Sequence, residues 1–186
     1  MRYWLDTEFI EDGKTIDLIS IGIVAEDGRE YYAISTEFDP YTASAWVVDH
    51  VFPCLPNMWN GKPLPMECKP LRQIAIEVEQ FLRGTEERSN ADGFTGQKPE
   101  LWAYYADYDW VALCQLYGTM MDLPDGFPMY CRDIKQECDR LGNPELPSQE
   151  SGEHNALADA KWNKKAWEFL KDYNCNSGCV VNSDLR

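Results

Sequence analysis

The stretch I-D-L-I-S-I-G-I-V-A-E-D-G-R-E-Y-Y-A-I-S, residues 16 to 35, carries the reading of the fold. Residues 16 to 25 are rich in branched apolar side chains and predict a β-strand. Glu26-Asp27-Gly28 is turn chemistry, and residues 29 to 35 return as a second strand, because aromatic and β-branched side chains pack well on a pleated surface. Working back, residues 2 to 6 predict a strand ahead of this hairpin. The domain therefore opens on an antiparallel meander.

Working forward, residues 42 to 52 predict a short helix soon stopped by Pro53 and Pro56, and residues 57 to 68 a loop. Leu71, Ile74, Val78, Phe81 and Leu82 recur at helical spacing, with Pro70 suited to a first turn and Gly84 to the end. After a polar stretch at 84 to 99, residues 101 to 106 predict a fourth strand, running into a short helix closed by Gly118. A helix over roughly 130 to 141 ends at Gly142, and the last helix spans about 155 to 172. No repeat or linker separates two cores. The reading is a single mixed α/β domain over residues 1–173, with 174–186 as a flexible tail.

Composition narrows the function. The chain has 186 residues, 44% hydrophobic and 13% aromatic, which is the balance of a folded domain. No apolar run approaches a membrane span and no signal-peptide pattern opens the chain, so a cytoplasmic location is expected, in the host if the source is a phage. Seven cysteines and only two histidines make a zinc cage hard to assemble, and the thiols are read as reduced. The net charge of -15 is the wrong sign for gripping long duplex DNA by its phosphates. If nucleic acid is handled, local contacts or bound cations must do it.

Three places concentrate chemistry. Asp6 and Glu8, two apart on a strand, project to one face, where mutual repulsion is costly unless a cation sits between them. Taken alone the pair reads as ordinary surface acids. Asp109 lies at a strand-to-helix junction, where N-capping is a sufficient structural explanation and Asp107 competes for the cap. His154 and Asp159 enter the last helix, and Asp159 sits beside Ala156, Ala160 and Asn163, the small-residue stripe that should face the sheet. A charge there needs a reason. Four carboxylates near strand ends and a helix start are the hard oxygen donors that Mg2+ and Mn2+ prefer, and a histidine among them suits proton removal from an attacking water.

These residues resemble a known family. D-T-E at 6 to 8, Y-D-W-V-A-L at 108 to 113 and H-N-A-L-A-D at 154 to 159 are similar to the three ordered motifs of the DEDDh 3'-5' exonucleases, which have an RNase H-like fold. W-L-D-T-E-F-I-E-D-G at 4 to 13, residues 18 to 33 and D-Y-D-W-V-A-L-C-Q-L at 107 to 116 resemble a phage and actinobacterial branch, the polyadenylate-specific exoribonucleases called RNase AS. The chain departs from that branch at Tyr105-Ala106-Asp107 and in its longer tail, which bears on substrate preference.

The resemblance implies an RNase H-like mixed sheet flanked by helices and a hydrolase that shortens single-stranded RNA from its 3' end to nucleoside 5'-monophosphates. It implies that Asp6, Glu8, Asp109 and Asp159 bind two divalent cations, Mg2+ or Mn2+, with His154 as the base. Phe9 is the candidate for stacking on the terminal base, with Trp110 and Arg132 as further substrate contacts and Trp46 a weaker one. Lys161, Lys164 and Lys165 read as a solvated helix face. A homodimer, with adenylate-rich ends preferred, is also implied. A DNA exonuclease on the same fold is the alternative, and a non-catalytic nucleic-acid-binding domain a remoter one.

Overall fold

The computed structural model describes residues 1–56, 58, 60–84, 98–149 and 151–177. The polar stretch expected at 84 to 99 lies mostly outside these residues, as does the tail beyond 177. Six strands form one mixed sheet: β1 (Arg2–Glu11), β2 (Ile16–Ala25), β3 (Glu30–Ser35), β4 (Cys68–Lys69), β5 (Glu100–Ala103) and β6 (Arg132–Asp133). Their order across the sheet is β4-β3-β2-β1-β5-β6. β1, β2 and β3 are the antiparallel meander, while β4 runs parallel to β3, β5 to β1 and β6 to β5. The RNase H-like α/β reading holds.

Strand alternation divides the core. Tyr3 and Leu5 of β1 face a cluster with Ile21, Ile23, Ile74, Val78 and Leu113, roofed by α2 (Leu71–Arg83) and α3 (Asp107–Gln115). Trp4 faces the other side and packs with Ile134 and Cys138 of α4 (Ile134–Arg140) and with Ala166 and Leu170 of α5 (Ala156–Ser177). A third cluster, Ile10, Ile19, Ile34 and Phe38 with Val47 and Val51, lies beneath α1 (Ala45–His50). None of the helices is long and apolar enough to cross a membrane, among the described residues.

Several boundaries differ from the sequence reading. β1 does not end at Asp6 but continues to Glu11, because residues 7 to 11 keep pairing with β2; the register slips by one residue between Glu8 and Phe9. Asp6 and Glu8 therefore lie in mid-strand. The helix expected from about 130 begins only at Ile134, since Arg132 and Asp133 pair with β5 and Asp133 caps the helix by accepting from the Lys135 and Gln136 amides. α5 runs on to Ser177, past its expected end near 172.

Two features place the acidic motifs at one spot. β1 and β5 pair only from Arg2 to Trp4, so from Asp6 onward one edge of β1 lacks a strand neighbour and a crevice opens there. The inner stripe of α5 is also very small: Ala156 and Ala160 are fully buried and Asn163 is 1% exposed, which lets the helix lie close on β1 and β2. Its first turns end above that crevice.

Candidate active site

β1 delivers two carboxylates to its α5 face. One oxygen each of Asp6, Glu8 and Asp159 lie within 4.8 Å of one another, the only such cluster of potential metal-ligating side chains among the described residues. Asp159, in the first turn of α5, takes a 2.6 Å hydrogen bond from Gln149 Nε2 onto Oδ1. Asp109 lies outside that cluster and is not in the cleft wall, though near enough to Asp6 to raise it. It does not cap α3, as the sequence allowed, because Ala106 occupies the N-cap; instead its Oδ1 accepts from the Thr7 backbone amide at 2.8 Å and from Thr7 Oγ1 at 2.6 Å. It thereby supplies the partner that the missing strand leaves wanting. Asp107 points to solvent.

The electrostatics are those of an uncompensated acidic nest. Asp6 is held well above the usual carboxylate range, by burial first and then by Asp109, Asp159 and Glu8. Glu8, 9% exposed, is pushed up to about 8 by burial and by Asp159 and Asp109. Asp109 rises to about 7 from burial, against the lowering effect of the Thr7 hydrogen bonds. Asp159 is raised by burial, which Gln149 and His154 oppose. The close approach of the two carboxyl groups raises Glu8 and lowers Asp159. Like charges this close in a poorly solvated place ask for cations.

His154 stands in the loop entering α5, with φ 66°, a left-handed backbone that non-glycine residues seldom adopt. The turn is tied on both sides. The Asn155 amide donates to the Gly152 carbonyl, Asn155 Oδ1 caps α5 by accepting from the Ala158 amide, and Asn155 Nδ2 reaches Tyr32 Oη at 3.4 Å. The His154 ring meets Trp46 edge-on at 4.9 Å between centroids, and Trp46 in turn stacks on His50 at 4.8 Å. α1 is thus the wall against which the imidazole rests.

A cleft of about 850 Å³ opens over these groups. Asp6, Glu8, Glu11, Glu153 and Asp159 line it, with His154, and no lysine or arginine does, among the described residues. Phe9 lies in its wall, one ring face stacked on Tyr108 at 5.5 Å and 9° between planes. Trp46 is also in the wall, at 52% exposure. The structure does not bring Trp110 or Arg132 to the cleft. Trp110 packs half-buried against the core under α3. Arg132 lies over the Trp102 and Tyr130 rings, pairs with Glu100 at 3.8 Å and lines a separate cavity of about 380 Å³. The sequence reading gave no role in the site to Thr7, Gln149 or Asn163, all in the cleft wall. Thr7 was signalled only by its place between the two acids.

The chain is similar to known proteins. The chain shares 48% identity over 167 residues with the 3'-5' exoribonuclease Rv2179c of Mycobacterium tuberculosis strain H37Rv, covering 87% of this chain and 88% of the relative. The same figures hold for the 3'-5' exoribonuclease MT2234.1 of strain CDC 1551. Among solved structures, one chain of a crystal structure of the yeast NOT1 MIF4G domain with CAF1 matches with 12% identity and a TM-score of 0.42, over 95% of this chain and 80% of that one. A family model described as the 3'-5' exoribonuclease Rv2179c-like domain matches residues 1–171, a span that includes every residue of the acidic cluster and His154. By that match and by its identity to the mycobacterial enzymes, this chain belongs to the Rv2179c-like family of 3'-5' exoribonucleases.

Proposed function

We propose that the chain shortens single-stranded RNA from the 3' end, releasing nucleoside 5'-monophosphates, with two divalent cations bound by Asp6, Glu8, Asp109 and Asp159. One observation carries the reading: a cleft lined by five carboxylates and, among the described residues, no lysine or arginine repels a polyanion unless cations occupy it. The donor set fits Mg2+ or Mn2+, being all carboxylate oxygen, with three of the groups close enough to share an ion. When bound, such ions polarise the scissile phosphate and stabilise both the attacking and the leaving oxygen. Asp6 and Glu8, rigid in mid-strand, and Asp159, held by Gln149, supply the fixed ligand positions. An imidazole nitrogen of His154 takes the proton from the attacking water, its ring steadied by Trp46.

RNA is favoured because the curated relatives are named exoribonucleases. Preference for adenylate-rich ends rests on the resemblance to the polyadenylate-specific branch. A homodimer is proposed on the same ground, with residues 40 to 60 as the contact, where Tyr41 is 95% exposed.

The test uses 5'-labelled single-stranded RNA and DNA homopolymers with Mg2+, Mn2+ or chelator. A ladder shortening from the 3' end of RNA is expected, abolished by chelator. Cleavage indifferent to chelator sinks the two-cation reading, and DNA lost as fast as RNA overturns the substrate.

Phe9 offers its ring face away from Tyr108 to the terminal base. Stacking on an aromatic ring is worth about 1–3 kcal/mol per base, so Phe9→Ala should raise KM by roughly 5- to 160-fold with a smaller change in kcat. Steady-state kinetics on oligoadenylate measures this, and an unchanged KM removes Phe9 from the binding site.

A further inference from the structure

A two-cation centre split between a strand and a helix works only if the two elements are held at a fixed separation. Here β1 carries Asp6 and Glu8 while α5 carries Asp159, and two contacts set the gap. Gly22 of β2 pairs directly with Asp6. A Cβ added there falls 2.2 Å from the Ala156 carbonyl oxygen, 2.3 Å from its carbon and 2.4 Å from the Leu157 nitrogen. These are backbone atoms, which no rotamer change can move aside. The first turn of α5 therefore sits on bare strand backbone next to Asp6, three residues before Asp159. Further along α5, Asn163 Nδ2 donates at 2.8 Å to the carbonyl of Leu5, the residue before Asp6. Asn163 is 1% exposed, so this bond is not shared with water. One contact lets the helix approach; the other draws it in. Both lie within one residue of Asp6 along or across the sheet.

We propose that Gly22 and Asn163 are positioning residues that set the separation between the β1 carboxylates and Asp159, and with it the geometry in which divalent cations are held. The inference rests on the two-cation reading of the site. Any side chain at Gly22 must push the start of α5 outward by about 1 Å, whereas Mg2+ demands near-ideal octahedral geometry with ligands at about 2.0–2.1 Å. Removing the Asn163 amide leaves the Leu5 carbonyl without its partner and frees the helix to drift the same way.

The experiment measures Mn2+ binding to the metal-free chain by calorimetry and by the electron paramagnetic resonance of free Mn2+, for the wild type, Gly22→Ala, Asn163→Ala and Ala166→Gly. Ala166 is buried on the same helix away from the cleft, so its glycine variant is the control for a merely weakened α5. Gly22→Ala and Asn163→Ala are expected to weaken Mn2+ binding by roughly 10- to 100-fold, and Ala166→Gly to leave it unchanged at a comparable loss of Tm. Turnover with Mg2+ should fall about 100-fold in Gly22→Ala, with Mn2+ restoring more of the rate than in wild type and KM for RNA little changed. Should Gly22→Ala fail to fold, Asn163→Ala decides alone. Wild-type Mn2+ affinity in the variants, or an equal loss in Ala166→Gly, overturns the proposal. Absence of Mn2+ binding by the wild type overturns instead the two-cation reading on which it stands.

Discussion

Asp6→Asn should abolish RNA hydrolysis and at the same time make the metal-free protein more stable. In the wild-type chain without cations, burial and three neighbouring carboxylates push Asp6 upward, and Glu8 is raised to about 8. A carboxylate raised in the folded state binds more protons there than in the unfolded chain, whose value is about 4. Stability then falls as pH rises, because its slope with pH follows unfolded minus folded protons bound, which is negative here. The window runs from about pH 4 to about pH 8. Metal-free protein should accordingly melt lower at pH 8 than at pH 5.5, and Mn2+ should raise Tm more at pH 8. Asparagine at position 6 keeps the shape and removes one of the crowded charges, for a gain of about 1–2 kcal/mol at pH 8 and a Tm shift of roughly 2–8 °C. Hydrolysis should drop by at least about 10³-fold, the loss of several kcal/mol of cation-supplied charge stabilisation. Calorimetric melts of both proteins with and without Mn2+, beside the ladder assay, give the answer. An Asn variant that is less stable when metal-free, or that stays active, would mean the nest is structural.

The same crowding of acids is why part of the site was readable in the sequence. Asp6 and Glu8 stood out because acids in an apolar strand violate the local pattern, and Asp159 because it interrupts the Ala156, Ala160, Asn163 stripe, which the structure buries as expected. The meander and α2 followed from side-chain periodicity, a local property. What escaped were properties fixed by distant partners. Asp109 looked like a helix cap until Thr7, 102 residues away, claimed it. Gln149 meets Asp159 and Asn163 meets Leu5 through contacts that no spacing encodes. Gly22 carried a real signal, since a glycine inside a strand often marks a close backbone approach, but not the identity of what approaches. Arg132 was drawn in by proximity to motifs in sequence; Glu100, Trp102 and Tyr130 hold it elsewhere.

In the proposed mechanism His154 is where function and backbone strain coincide, and two substitutions separate them. Its φ of 66° costs an ordinary side chain about 1–2 kcal/mol and costs glycine almost nothing. His154→Ala keeps the strain and loses the ring, with its contact to Trp46. His154→Gly loses the ring and the strain together, so it should unfold at higher temperature than the alanine variant, by about 1 kcal/mol after the entropy of glycine in the unfolded chain is deducted. Both should lose about 10²- to 10⁴-fold in kcat, the usual contribution of a positioned base. Mn2+ affinity should stay near wild type in both, because Asp6, Glu8, Asp109 and Asp159 are untouched. Added imidazole should restore part of the rate, more in the glycine variant, whose ring space is empty. In the proposed mechanism the strained turn persists because it holds the imidazole in the cleft wall with Asp6, Glu8 and Asp159. A His154→Ala protein with more than about a tenth of wild-type kcat places the base elsewhere. A glycine variant no more stable than the alanine one removes strain from the account.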